Sequence, residues 1–148
     1  MEGSTWYVLD GDILRTGISK DLGFSAEDRT ENVRRCAEVA RILNSAGVNV
    51  ITALICPYEA IRQMARGIVG DSSFLEVHIN TPLEKCEERD PKGLYKLARN
   101  GTIKNFTGIS DPYEPPLHAA VSVDTSSITV EQAVNVVVSS LGLLQSRY

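Results

Sequence analysis

Arg89, Lys92, Lys96, Arg99 and Lys104 crowd one short stretch of a chain whose formal net charge is -4. After Asp90 no acid appears until Asp111, so Lys92 to Lys104 make a local positive island. Such an island is either the solvated face of a helix or a surface for an anion, of which phosphate is the commonest. Charge alone favours the solvated face. The surroundings favour the anion: Asn100-Gly101 is a good helix stop, and Phe106 follows among Thr, Gly and Ser. Cations beside an isolated aromatic in a loop suit a nucleotide, with phosphates on the cations and the base on the ring.

A second chemical feature is Trp6-Tyr-Val-Leu-Asp-Gly-Asp12, an apolar, β-favouring run that ends on two carboxylates separated by glycine. A plain Asp-Gly turn is the simplest explanation. In an open α/β sheet, however, ligands bind at the carboxyl ends of strands, where Asp10 and Asp12 would sit. Gly11 would let the backbone turn there and approach a substrate. Arg15 follows, and then Arg29, Asn32, Arg34 and Arg35, a further group of anion-capable side chains.

Alternating strands and helices must position these groups. Ser25-Ala-Glu-Asp28 resembles a capping box with Asp in the Glu position. The helix it starts carries an apolar stripe at Val33, Ala37, Ala40 and Leu43 and ends near Gly47. Val48 to Ile55 is nearly all apolar, as for a strand covered on both faces. Pro57 starts a helix through about Ile68. Phe74 to Asn80 alternates as a strand, in which His78 is a structural residue rather than a ligand. A helix from Pro82 leads into the basic segment, and three prolines make Ser110 to Pro116 a loop. Val121 to Asp124 is a last strand, and Thr129 caps a helix with Val134, Val137, Val138 and Leu141 inward. The order β-α-β-α-β-α-α-β-α implies an α/β fold, a parallel sheet wrapped by helices.

Composition bounds the function. The 148 residues suffice for one domain with a real core. The acidic balance argues against general nucleic-acid binding. No apolar run approaches the roughly 20 residues that span a bilayer. The N-terminus lacks a signal-peptide pattern, so the expected setting is a reducing one, the cytoplasm, or a plastid stroma had a transit segment been lost. Cys36, Cys56 and Cys86 have neither metal-ligand nor redox spacing. Cys36 and Cys86 read as small buried hydrophobes on helices.

Taken together, Asp10-Gly-Asp12, Asp21-Leu-Gly-Phe24, Asp28-Arg29, Glu31-Asn32, Arg34-Arg35, Pro57-Tyr58, Arg89-Asp-Pro-Lys-Gly-Leu-Tyr95 and Phe106-Thr-Gly-Ile109 resemble the adenylyl-sulfate kinase (APS kinase) family. The similarity runs in consistent order from about Tyr7 to Thr125. It implies transfer of the γ-phosphoryl of ATP, with Mg²⁺, to the 3'-hydroxyl of adenylyl sulfate. The product is 3'-phosphoadenylyl sulfate, made in sulfate assimilation, and no tightly bound cofactor is implied. Asp12 resembles the carboxylate that engages the 3'-hydroxyl and the metal, with Asp10 beside it. Arg15, Arg29 and Asn32 resemble the groups that hold phosphosulfate and ribose, and Phe24 and Phe106 the aromatics that sandwich adenine. Ile55 and Cys56 fall at the substrate edge. Lys92 lies in the lid that closes over both nucleotides, with Arg89, Gly93, Leu94, Lys96 and Arg99.

The chain departs from the family pattern in three places. The family opens with a strand, a Gly-x-x-x-x-Gly-Lys-Ser/Thr phosphate loop and a helix. Here Met1 to Thr5 precede the first strand, and no such loop occurs among the 148 residues. Gly3-Ser4-Thr5 is the nearest remnant and lacks the lysine. The expected fold is therefore that of a P-loop kinase without its first strand and P-loop, a single truncated domain over residues 1–148. Cys56 stands where serine is usual before Pro-Tyr, and Glu59 where arginine is usual, which places a negative charge near the anion site. Two functions remain open: the kinase, or an inactive pseudokinase-like module that binds adenylyl sulfate or pairs with a second, full-length homologue.

Overall fold

The structure, a computed structural model, describes residues 4–145, so Gly3 of the Gly3-Ser4-Thr5 remnant lies outside the described residues. The chain divides into two compact units, with the division between Asp71 and Ser72.

In the first unit, β1 (Thr5–Asp10) is followed by α1 (Gly11–Thr16), α2 (Ala26–Ser45), β2 (Val48–Ala53) and α3 (Glu59–Val69). β1 and β2 run parallel, in a register from Thr5 opposite Val48 to Asp10 opposite Ala53. A helical crossover places two strand ends side by side in this way. α2 supplies the core, because its small residues let it lie close to the sheet. Leu9, Cys36 and Ala40 are buried together, with Val39, Val50, Leu54 and Val69 packed around them. The expected stripe is buried at Val33, Ala37 and Ala40. Burial also pushes the Cys36 thiol up to about 12, so it stays protonated and inert.

The capping box at the start of α2 is present. Ser25 Oγ accepts the Asp28 amide at 3.1 Å and donates to Asp28 Oδ2 at 3.1 Å. A Cβ at Gly23 would come within 2.8 Å of that carboxylate oxygen, so the approach to α2 is tight.

Two expectations for this unit are corrected. β2 is not covered on both faces: Val48 and Val50 are half-buried, while Asn49, Ile51, Thr52 and Ala53 are exposed. Asp12 follows the carboxyl end of β1 as expected, but the plain Asp-Gly turn does not form. The residue lies in the first turn of α1, a helix that the residue pattern does not announce.

In the second unit, β3 (Val77–Ile79) pairs in parallel with β4 (Val121–Val123). α4 (Leu83–Arg89), α5 (Leu94–Arg99) and α6 (Val130–Gln145) complete it. Among the described residues the four strands form two two-stranded sheets rather than one, since ladder hydrogen bonds join them in these pairs. Thr81 Oγ1 and Thr125 Oγ1 lie 2.7 Å apart and tie the segments beyond β3 and β4 together. The His78 ring stacks on Tyr113, with centroids 6.0 Å apart. Cys86 is half-buried on α4, its Sγ 3.8 Å from the Thr81 carbonyl.

A reciprocal capping box starts α6. The Gln132 amide donates to Thr129 Oγ1 at 3.2 Å, and the Thr129 amide to Gln132 Oε1 at 2.8 Å. Val134 and Val138 face outward rather than inward; Val137 and Leu141 are half-buried. Val134, Val136, Val137 and Val138 fall on several sides of the helix, so the polar contrast is too weak for the stripe to be read correctly. None of the described helices is long and apolar enough to cross a membrane.

Candidate active site

A cavity of about 290 Å³ is lined entirely by residues of the first unit. Its base is built by the adjoining ends of two parallel strands: Asp10, Gly11 and Asp12 on one side, Ala53, Leu54 and Ile55 on the other. Arg15, Phe24, Arg29 and Asn32 form the rest of the lining.

The two acids do different work. Asp10 caps α1, with Oδ1 accepting the Asp12 amide at 2.8 Å and the Ile13 amide at 3.2 Å. Asp12, one step into the helix, is exposed and lines the cavity. Gly11 keeps this strand end close to its neighbour, and a side chain there would require Leu54 to move. A Cβ there would come within 2.7 Å of Leu54 Cδ2 and 3.4 Å of the Ala53 carbonyl oxygen.

Phe24 is 59% exposed, a large apolar surface to leave in water. The Arg15 guanidinium lies 4.5 Å from its ring centroid and that of Arg29 lies 5.7 Å away. Arg15 also donates to the Gly23 carbonyl at 2.6 Å, and Arg29 Nε donates to the Phe24 carbonyl at 3.2 Å. Burial, then the adjacent Arg29 charge, draws Arg15 below the usual arginine range, with Asp28 and Asp12 opposing. Arg29 and Asn32 are themselves buried, at 8% and 5% exposure. Two cations, a ring and a carboxylate in one cavity match an aromatic ligand that carries both an anion and a hydroxyl.

Cys56 does not line this cavity; its carbonyl accepts from Arg62 Nη1 at 2.8 Å. Glu59 does not stand as a bare negative charge. It takes Arg62 Nη2 at 2.5 Å and Gln63 Nε2 at 2.6 Å, so local donors answer it.

The basic segment falls in the second unit. Arg89 is exposed but engaged within its own unit, Nη1 donating to Thr125 Oγ1 at 2.8 Å and Nη2 to the Thr125 carbonyl at 2.5 Å. Arg99 forms an ion pair with Glu87 and holds that carboxyl below the usual range. Asp90 caps α5, accepting the amides of Tyr95 and Lys96 at 3.1 Å each. Lys92, Lys96 and Lys104 are exposed, and Leu94 is 38% exposed. Gly93 takes a left-handed φ of 68° just before α5. Phe106 is half-buried, edge-on to Tyr95 at 5.1 Å.

Sequence reasoning missed Ala53 and Leu54. The signal was present, since two parallel strands joined through a helix end together, and the residues after Ala53 must lie beside those after Asp10.

The arrangement is that of an α/β protein whose charged and aromatic side chains gather at the ends of two parallel strands. The adenylylsulphate kinase family model matches residues 1–124, so the chain belongs to that family. The adenylyl-sulfate kinase of Phocaeicola vulgatus is 54% identical over 128 residues, covering 86% of this chain and 63% of that protein. The probable adenylyl-sulfate kinase of Halalkalibacterium halodurans is 50% identical over 145 residues, covering 98% of this chain and 72% of that protein. Among solved structures, the APS kinase CysC of Mycobacterium tuberculosis, in complex with AMPPNP and APS, superposes with a TM-score of 0.89. It is 44% identical, and the match covers 95% of this chain and 82% of that one. The chain spans 63% of the length of the first curated relatives it matches.

Proposed function

We propose that the cavity between Asp12 and Phe24 binds adenylyl sulfate and presents its 3'-hydroxyl for phosphorylation by ATP. The observation that carries this is the grouping of Arg15 and Arg29 about an exposed Phe24 ring, with Asp12 on the same cavity. The ring takes the adenine face, and the arginines and Asn32 take phosphosulfate and ribose. Asp12 accepts the hydrogen bond of the 3'-hydroxyl, which orients the oxygen for attack. In the transfer a 3'-oxygen–phosphorus bond forms as the bond from the γ-phosphorus to its bridging oxygen breaks, and the hydroxyl proton leaves towards the carboxylate. In such reactions the protein mainly positions reactants and neutralises charge.

Mg²⁺ fits Asp12 as a single protein carboxylate, because this ion takes most of its ligands from phosphates and water. No cluster of three or more metal-ligating side chains occurs among the described residues. The ion would offset charge on the transferring phosphoryl group. The family resemblance assigns Lys92, Lys96 and neighbouring residues to a lid that excludes water, and Phe106 to the adenine. The free thiols suit a reducing compartment such as the cytoplasm.

One observation keeps a second role in view. No Gly-x-x-x-x-Gly-Lys-Ser/Thr run occurs in the 148 residues, so these residues by themselves would bind adenylyl sulfate without turning it over. They would then act alone as a binding module or beside a full-length homologue.

Titration with adenylyl sulfate, followed by displacement with 3'-phosphoadenylyl sulfate, tests the site; no heat with either nucleotide contradicts it. Phe106→Ala gives the lid its own check. Stacking on a ring is worth about 1–3 kcal/mol per base, so affinity for adenylyl sulfate falls about 5- to 150-fold. Because Phe106 also rests on Tyr95, the unfolding midpoint is measured alongside. An unchanged affinity makes Phe106 a packing ring only.

A further inference from the structure

Residues 17–24 connect α1 to α2 and carry Phe24 into the cavity, yet these eight residues contain no regular helix or strand. Besides its own turn hydrogen bonds, the segment is held from outside the cavity. Arg35, in the middle of α2, sends Nη1 to the Ile18 carbonyl at 2.7 Å and to Asp21 Oδ1 at 2.6 Å. Its Nη2 reaches Asp21 Oδ2 at 2.8 Å, and its Nε reaches Glu31 Oε1 at 2.8 Å. One carbonyl and two carboxylates thus fix the plane of the guanidinium. Neither Arg35 nor Asp21 lines the cavity. The next residues along, Leu22 to Phe24, are the ones whose carbonyls receive Arg15 and Arg29.

We infer that the Arg35–Asp21 pair is a positioning clamp for the ligand site: it fixes the 17–24 segment so that Phe24 and Arg15 meet the ligand already arranged. This rests on the proposed adenylyl-sulfate site and extends it to two residues that do not touch the nucleotide. A planar fork bound bidentately sets direction as well as distance, which a lysine cannot do. With Asp21 largely exposed, the pair contributes little to global stability, so its removal acts on the segment rather than on the fold.

Arg35→Gln and Asp21→Asn, each in the 148-residue chain, test the clamp from its two sides. Amide hydrogen exchange is followed across residues 17–24 and across the buried turns of α2, and adenylyl sulfate is titrated. Both variants should speed exchange in 17–24, leave α2 and the urea midpoint near wild type, and weaken adenylyl sulfate about 2- to 30-fold. Unchanged exchange in 17–24 overturns the clamp whatever the ligand does. Faster exchange with unchanged affinity overturns its positioning role. Failure of the parent chain to bind adenylyl sulfate contradicts the proposed site instead, and the exchange arm still decides whether the segment is clamped. Should Arg35→Gln not fold, Asp21→Asn retains the guanidinium and gives the same discrimination.

Discussion

The 148-residue chain, mixed with Mg²⁺, ATP and adenylyl sulfate at saturation, is expected to form no detectable 3'-phosphoadenylyl sulfate. Asp12 can orient an acceptor hydroxyl, but an acceptor gains rate only against an oriented donor. The triphosphate is ordinarily cradled by a glycine-rich run with a lysine, and no such run occurs among these residues. A single charge clamp on the transferring phosphoryl can supply about 10³-fold or more in rate, so its loss exceeds what neighbouring lysines restore. Adding a strand, phosphate loop and helix ahead of Trp6, in the order the family pattern implies, should recover turnover. Asp12→Asn in that longer enzyme should then remove most of it, with the fold kept as judged by its unfolding midpoint. Robust product from the 148 residues alone means that another segment, such as Lys92 to Lys104, holds the triphosphate.

Arg29→Ala has the largest expected effect on binding. The side chain is 8% exposed, sits 5.7 Å from the Phe24 ring and donates to the Phe24 carbonyl. Hydrogen bonds to charged groups are worth about 1.5–3 kcal/mol, which corresponds to a loss of about 10- to 150-fold in affinity for adenylyl sulfate. Arg29→Lys should recover only part, because a point charge replaces a planar fork. Calorimetry on both variants, with adenosine as a control lacking the phosphosulfate, separates anion recognition from ring placement. Equal losses for adenosine and adenylyl sulfate assign Arg29 to holding Phe24 rather than to the anion.

Much of this site was legible because short-range rules governed it. Ser25 with Asp28, and Thr129 alone, announce helix starts, and both caps form as hydrogen bonds of 3.1 and 3.2 Å to the hydroxyls. The small, apolar stripe of α2 has a clear helical period and is buried accordingly. The features that escaped depended on the third dimension. α1 begins on Gly11, a poor helix former, and exists because Asp10 caps it. The partial cover of β2 could not be read from Val48 to Ile55, since an apolar run says what could be covered and not what is. Arg89 and Arg99 counted as island charges until Thr125 and Glu87 were seen beside them, 36 and 12 positions away in the chain. The clamp between Arg35 and Asp21 spans 14 positions and follows no helical or strand period. Glu59 looked like an intrusive charge because Arg62, three residues on, could not be assigned to it from sequence.

The central claim is that the cavity recognises a sulfo-nucleotide through Phe24, Arg15 and Arg29. Calorimetric titration of the 148-residue chain with adenylyl sulfate, 3'-phosphoadenylyl sulfate and ATP under one buffer and salt tests it most directly. Adenylyl sulfate and 3'-phosphoadenylyl sulfate should bind clearly tighter than ATP, and Phe24→Ala should remove that preference. ATP binding as tightly as either sulfo-nucleotide, or a preference that survives Phe24→Ala, contradicts it.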